Sequence, residues 1–340
     1  MGSTKASRVP VIADVARVAG VSVPTVSRVL TGSAKVSQEK AQRVLEAIEL
    51  LDYRPSATAR ALASRQSHTI AIVAGNTSQY GYAQTIRGVE EEARADGYTV
   101  TITVIESPDP VEVSRAISLV QDQGPAGVVV LKFDPPGVAA LAKLPRDLPT
   151  VAISGVRTRE VPQAILDEQK AAQALVEHLL ELGHRTVHHV MVPPSRREDG
   201  RTTGWRRALK DAGAEIPTPF KASWLPESGR QIGLQLADDD AVTAVFCGND
   251  EIAMGVVKGL ADRGLRVPAD VSVAGFDDHP LAAMWSPALT TVHQDFVGLG
   301  KRAFELLREA ISGDTSRRFS SDLPAVVLRE STGPAQQRSK

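Results

Sequence analysis

Apolar positions along residues 12–51 recur with the spacing of helices. Ile12, Val15, Ala16 and Ala19 fall at i, i+3, i+4 and i+7, one face of a helix. Gly20 follows, free to take a positive φ and stop it. Ser22 is placed to cap a second helix, and Pro24 is tolerated in its first turn because that N–H has no partner within the helix. Val26, Val29 and Leu30 point inward, and Val21 plugs the gap between the two helices. Val23, Pro24, Thr25, Ser27 and Arg28 point outward. Ser37 opens a third helix with Val44, Leu45, Ile48 and Leu51 as its apolar face. Two short helices across a tight turn, the second offering an outward face near its N-terminus, are the geometry that lays a helix in a DNA major groove. The alternative is a three-helix bundle without a ligand.

Beyond residue 68 the pattern becomes short apolar strands alternating with helices. The strands are Thr69–Ala74, Tyr98–Val104, Gly127–Leu131, Thr150–Ile153, Ala164–Asp167, Val187–Val192, Thr243–Cys247 and Val271–Phe276. Helical stretches include 84–96, 111–123, 170–182, 201–212, 249–263 and 296–312. This alternation predicts an α/β fold, with parallel sheets covered on both faces. Ala74-Gly75-Asn76 after the first strand is not a dinucleotide fingerprint, and no Walker loop occurs, which disfavours nucleotide binding. Ligands of open α/β sheets lie beyond the carboxyl ends of strands. Asn249-Asp250 and Asp277-Asp278 follow two such ends.

Charge separates the two regions. Residues 1–66 carry ten Lys/Arg against five Asp/Glu, a balance of +5 in a chain of net charge −1, so the remainder holds −6. A cationic head on an anionic body suits phosphate binding at one end. The length of 340 residues points to about two domains, and 42% hydrophobic residues suffice for a sizeable core. No run reaches transmembrane length, the N-terminus does not read as a signal peptide, and Cys247 is the only cysteine. These features predict a cytoplasmic protein without a membrane partner or an intrachain disulfide.

Asp-Val-Ala-x-x-Ala-Gly-Val-Ser-x-x-Thr-Val-Ser-Arg-Val-Leu at 14–30, Val36-Ser37 and Tyr53-Arg54-Pro55 resemble the LacI/GalR family of bacterial transcription regulators. The likeness runs over nearly the whole chain and is strongest to the lactose-responsive pattern within the family. It implies a three-helix helix-turn-helix head (9–55), a hinge helix and linker (56–66), and a periplasmic-binding-protein-like body of two α/β subdomains (67–332). The N-subdomain would comprise about 67–166 and 295–323, the C-subdomain about 167–294 and 324–332, with 333–340 a disordered tail. Ser22, Val23, Pro24, Thr25, Ser27 and Arg28 then face double-stranded operator DNA. In the hinge, Ala59 matches the close-approach alanine, Arg60 faces the backbone, and Leu62 matches the leucine that wedges a base step. The alternative is a linker helix with Leu62 buried.

The same resemblance assigns Tyr82, Arg201, Trp224, Asn249, Asp277 and Gln294 to a small carbohydrate effector. Chemistry agrees: Arg201 donates parallel hydrogen bonds, Asn249 donates and accepts, Asp277 accepts from two hydroxyls, and an aromatic face suits a pyranose. Trp205 falls in the helix core. No cofactor, metal or catalytic residue is implied, and a homodimer is. Three departures stand out. Val23 and Pro24 cannot hydrogen-bond to bases, Val11 replaces the usual capping hydroxyl of the first helix, and Ser154 stands where lactose-responsive members have a pocket aspartate. Rival readings are a regulator that needs a co-repressor, a sugar-binding protein with no gene-regulatory role, and an enzyme. His178, His184, His188 and His189 lack metalloprotease spacing, and neighbours on a strand point to opposite faces. Cys247 has no partnering histidine nearby in sequence.

Overall fold

The computed structural model describes residues 10–31, 36–53, 67–155, 157, 161–193, 199–314, 316 and 318–336. The hinge positions Ala59, Arg60 and Leu62 lie outside the described residues. The chain divides into two compact units, Met1–His68 and Thr69–Lys340.

The first unit holds α1 (Ile12–Ala19), α2 (Val23–Thr31) and α3 (Gln38–Leu50). Gly20 closes α1 with φ +64, and Val21 N–H returns to Ala16 O at 3.0 Å. Val11 gives α1 no side-chain cap; instead the Asp14 carboxylate accepts from Val11 N–H at 3.0 Å. Val15, Ala16, Ala19, Val26, Val44, Ala47 and Tyr53 form the core, with Ile12, Val21, Val29, Leu30, Ile48 and Leu51 packed against it. One expectation is corrected here: Leu45 is 53% exposed. The inner face of α3 runs through Val44, Ala47 and Ile48, and the next residue on a helix is rotated about 100° away.

The second unit contains a six-stranded sheet in the order β11-β5-β4-β3-β1-β2 among the described residues. Its strands are β1 (Thr69–Ala74), β2 (Thr99–Val104), β3 (Gly127–Leu131), β4 (Thr150–Ser154), β5 (Gln163–Leu166) and β11 (Phe319–Asp322), all paired in parallel. A four-stranded parallel sheet has the order β7-β6-β8-β9. It comprises β6 (His188–Met191), β7 (Phe220–Lys221), β8 (Ala244–Cys247) and β9 (Ser272–Ala274). Two further strands, β10 (Thr291–His293) and β12 (Ala325–Val327), pair antiparallel.

Helices cover both faces of each sheet. α4 (Tyr80–Ala95), α5 (Pro110–Asp122), α6 (Pro135–Lys143) and α11 (Phe296–Ile311) belong to the larger sheet; α7 (Glu168–Glu181), α8 (Gly200–Asp211), α9 (Pro226–Ala237) and α10 (Asp250–Asp262) belong to the smaller. The chain leaves the larger sheet's layer at Asp167, returns at Gln294-Asp295 and leaves again between β11 and β12.

Two helices absent from the predicted pattern are explained by their first turns. α6 starts at Asp134-Pro135, whose carboxylate accepts from Gly137 N–H at 2.7 Å, and α9 starts at Pro226. The inner face of α9 is Gly229, Ile232, Gly233 and Leu236, so half of its inner positions carry no side chain and the helical hydrophobic period is weak. The expected disordered tail is also corrected at its start. Gly333 bonds through its N–H and carbonyl to Ser272 Oγ, and Ala335 N–H donates to Leu182 O at 2.9 Å.

Close approach of α9 to α10 sets the positions of the residues just ahead of them, Trp224 and Asn249. A Cβ on Gly255 would lie 2.0 Å from Pro226 O, and one on Gly229 would lie 2.2 Å from Ile252 O. Both obstacles are backbone. Gly255→Ala should therefore destabilise the body by about 1–3 kcal/mol through overpacking, read as a lower urea midpoint. An unchanged midpoint would contradict this contact.

Candidate functional site

Two surfaces qualify, one on each unit. On the first, Val26 is fully buried and anchors α2, while Ser22, Val23, Pro24 and Arg28 are exposed and Thr25 and Ser27 half-buried. The Ser22 and Thr25 hydroxyls lie 2.9 Å apart, which joins the turn to the first turn of α2. The exposed set mixes apolar carbon with one guanidinium. Arg28 can reach a phosphate or guanine, whereas Val23 and Pro24 offer only apolar contact, such as to a thymine methyl.

On the second unit, the carboxyl ends of both sheets face a cleft open to solvent, with about 780 Å³ of empty space in it and at its mouth. Lys132 and Phe133 follow β3, and Ser154 and Gly155 end β4 and begin its loop. Tyr80 and Tyr82 open α4, and Phe296 opens α11. From the smaller sheet come Arg201 after β6, Trp224 after β7, Asn249 and Glu251 after β8, and Asp277 after β9. Strand ends place these groups because each strand's last residue must turn out over the sheet edge into the next helix.

Arg201 is the centre of the polar wall. Its Nε and Nη2 donate to Glu168 Oε1 at 3.3 and 2.9 Å, Nη2 lies 3.1 Å from Asp277 Oδ1, and Nη1 donates to Gly248 O. The guanidinium carbon stands 4.6 Å from the centroid of the Phe276 ring. Burial opposes its charge, but Asp277 and Glu168 outweigh that and hold it above the ordinary guanidinium value. Asp277 has φ +109 and receives Gln294 Nε2 at 2.7 Å. Burial pushes the Asp277 carboxyl up to about 7, against the pull of Arg201, with Glu168 and Glu251 adding to the rise. Burial also raises Glu251, partly offset by His279. Asp250, behind the wall, is raised well above the usual carboxylate range by burial and then by Asp277.

Of the residues predicted for the effector, Tyr82, Arg201, Trp224, Asn249 and Asp277 line the cleft. Gln294 stands behind Asp277, almost fully buried. Some of the expected chemistry is already engaged. Asn249 Oδ1 caps α10 through Ile252 N–H at 2.9 Å, and Nδ2 donates to Glu251 at 2.8 Å. The Tyr82 hydroxyl donates to Asp134, so Tyr82 presents its ring edge-on to Phe133 at 5.3 Å. Trp205 is in the core, with Nε1 donating to Val187 O at 2.8 Å.

Sequence reasoning did not single out Glu168, Glu251, Lys132 or Tyr80. Glu168 directly follows the expected strand Ala164–Asp167 and lies ahead of the expected helix; its pairing with Arg201, 33 positions on, has no sequence signature. Two of the histidines considered for a metal have hydrogen-bond partners of their own. His189 is in the core, stacked on Phe246 at 4.8 Å and held by Phe246 O and Thr202; burial pulls its pKa to about 4. His184 lies between Thr243, Ser272 and Gly333.

The raised carboxyls set a pH dependence. A folded-state Asp277 at about 7 keeps a proton that the unfolded chain, near the model-compound value 3.8, has lost. Stability from this group is therefore present at low pH and lost as pH rises from about 4 to 7. The slope has a ceiling of about 1.4 kcal/mol per pH unit for one group. Asp277→Asn should flatten this fall, measured as urea stability across that range; an unaltered slope would assign it to other groups.

Residues 11–56 match the bacterial regulatory proteins of the lacI family, and residues 176–332 match the periplasmic binding protein-like domain. Catabolite control protein A of Priestia megaterium is 32% identical over 94% of this chain and 98% of its own length. The HTH-type transcriptional repressor PurR of Pectobacterium carotovorum subsp. carotovorum is 34% identical over 94% of this chain and 96% of its own. Among solved structures, the lac repressor dimer bound to operator and the anti-inducer ONPF superposes with a TM-score of 0.87 at 27% identity, covering 96% of this chain and 100% of that one. The transcriptional regulator CelR in complex with cellobiose superposes with a TM-score of 0.70 at 27% identity, covering 95% and 99%. With a helix-turn-helix head and a two-sheet body whose strand ends enclose a cleft, this chain belongs to the LacI family of DNA-binding transcriptional repressors.

Proposed function

We propose that this repressor binds a near-palindromic operator as a homodimer in the cytoplasm and is released from it by a small carbohydrate in the body's cleft. The observation that carries the reading is the composition of that cleft. Tyr80, Tyr82, Phe133 and Phe296 offer ring faces and edges from the larger sheet's side, and Trp224 adds an aromatic ring beside the hydrogen-bonding groups of Glu168, Arg201, Asn249 and Asp277. Such a pairing suits a molecule with apolar C–H faces and polar edges. The cellobiose complex of CelR and the ONPG complex of the lac repressor support a sugar-like occupant by likeness. The body's work is binding rather than catalysis: Cys247 is fully buried, and burial pushes its thiol up, away from the nucleophilic thiolate.

The dimer reading is supported by the operator-bound lac repressor dimer and by an apolar loop of the body. Leu281, Met284 and Trp285 are 52, 78 and 36% exposed, close together in the segment before β10. A second copy covering this loop would remove that apolar area from water. Trp285→Asp with Met284→Asp should shift the mass measured by sedimentation from dimer to monomer. A wild-type chain that sediments as a monomer at micromolar concentration would overturn the dimer.

Effector and operator, if they favour different arrangements of one dimer, must weaken each other's binding by the same factor. Fluorescence anisotropy of operator DNA, titrated with mono- and disaccharides, tests this. At least one sugar should lower operator affinity about tenfold or more, within the usual coupling range. Failure of every sugar to do so rejects the carbohydrate effector, and a rise in affinity instead makes the ligand a co-repressor. On the head, Arg28→Ala should weaken all sequences, whereas Val23→Gln should change which base is preferred, by about 1–3 kcal/mol at one position.

A further inference from the structure

The two walls of the cleft differ in charge as well as in polarity. Tyr80, Tyr82, Phe133 and Phe296 come from the larger sheet's side, while the carboxylates come from the smaller sheet's side and the strand leading to it. Among the described lining residues, Glu168, Asp199, Glu251 and Asp277 stand against Lys132 and Arg201, four carboxyl groups to two cations, although burial raises Asp277 and Glu251 and so reduces their share of the negative charge.

Arg201, the group that would ordinarily donate to an acidic or neutral ligand, is already committed. A guanidinium has five N–H donors. Those of Arg201 reach Glu168 twice, Asp277 once and Gly248 O once. Asn249 has its oxygen on the cap of α10 and one amide proton on Glu251. Tyr80, Trp224 and Lys132 also carry donors on the lining, and the rest of the polar wall presents carboxylate lone pairs. Asp199 supplies an independent sign. Its Oδ1 caps α8 through Thr202 N–H at 2.7 Å, but its buried Oδ2 has no hydrogen-bond partner among the described residues, although the residue lines the cleft. A buried carboxylate oxygen without a donor is costly unless a ligand provides one.

We infer that the effector is a cation: a polyhydroxylated primary amine, an amino sugar, whose ammonium faces the carboxylates of Glu168, Asp199 and Asp277 while its ring lies against the aromatic wall. This rests on the carbohydrate reading above and narrows it. The ammonium has three N–H donors and no acceptor, which matches a wall rich in acceptors. Charge-assisted bonds from it to carboxylates are the strong kind, and aromatic faces attract cations. A phosphorylated or carboxylated sugar would have to enter beside Glu168, Asp199 and Asp277 and displace them from Arg201. A neutral sugar offers the carboxylates of Glu168 and Asp199 only uncharged hydroxyl donors, which make weaker bonds than an ammonium does.

The test is isothermal titration of the full chain with matched sets. Each comprises a hexosamine, its parent hexose and the hexose 6-phosphate, in the gluco, galacto and manno series. At least one hexosamine should bind about tenfold or more tighter than its parent, and no 6-phosphate should bind tighter than its parent hexose. Glu168→Gln should reduce the amine preference to near parity, while Glu168→Asp should keep most of it. Asp199→Asn, which retains the helix cap, should reduce the preference independently, so the result does not depend on one variant folding. Thermal unfolding of the unliganded variants reports their fold. A parent hexose or its phosphate binding as tightly as or tighter than the amine overturns the cationic effector and leaves the carbohydrate reading standing. Binding by no member of any set counts against the carbohydrate reading itself, and the amine inference falls with it.

Discussion

The guanidinium of Arg201 is the interaction on which the effector cleft depends. It joins the first turn of α7 through Glu168, the end of β8 through Gly248 O, the loop after β9 through Asp277, and the ring of Phe276 beneath it. Three chain segments, one following a strand of the larger sheet and two following strands of the smaller, are thereby tied at a single buried point. Such a cluster adds little net stability compared with apolar packing, since burial opposes every charge in it. Removing one member is another matter: it would leave buried charge uncompensated, at about 3–5 kcal/mol. Its value lies in geometry. The guanidinium is planar, and its donors fix where the carboxylates stand.

That brace also explains the electrostatics of the wall. Burial raises Asp277 to about 7, and Arg201, which Asp277 shares with Glu168, offsets only part of that rise. Asp250 behind it rises too, held by Thr291 Oγ1 at 2.6 Å and His279 N–H at 2.7 Å. Positive φ at Asp277 and Asp278 turns the chain sharply enough to bring one carboxylate into the cleft and the other to Arg329 and His293. Adjacent acidic residues thus have separate tasks, one toward the ligand and one within the fold.

Much of the architecture was readable before any coordinates. The head is legible because its helices are amphipathic and short: Val15, Ala16, Ala19 and Val26 repeat with helical spacing and are buried. Leu45 misled because an apolar residue on a small helix counts as core only if its rotation faces the neighbours. In the body, β1, β3 and β8 are apolar runs between polar turns, as fully buried parallel strands must be. β11, with the sequence Phe-Ser-Ser-Asp, lies at a sheet edge and has no such run. α9 is hidden by glycines that let α10 approach, a feature visible only once the partner helix is known.

Periodicity, charge and a long signature motif determined, from the chain alone, a helix-turn-helix head, an α/β body and the strand ends where a ligand would lie. These are local properties, set by spacing along the backbone and by the balance of +5 against −6. Only the tertiary structure decided which polar groups remain available. Arg201 and Asn249 are donors by residue type, yet folding commits most of their capacity to Glu168, Asp277, Gly248, Glu251 and the α10 cap. Hydrogen-bonding capacity is a property of the residue, but its use is a property of contacts between segments far apart in sequence, and those exist only after the sheets have assembled.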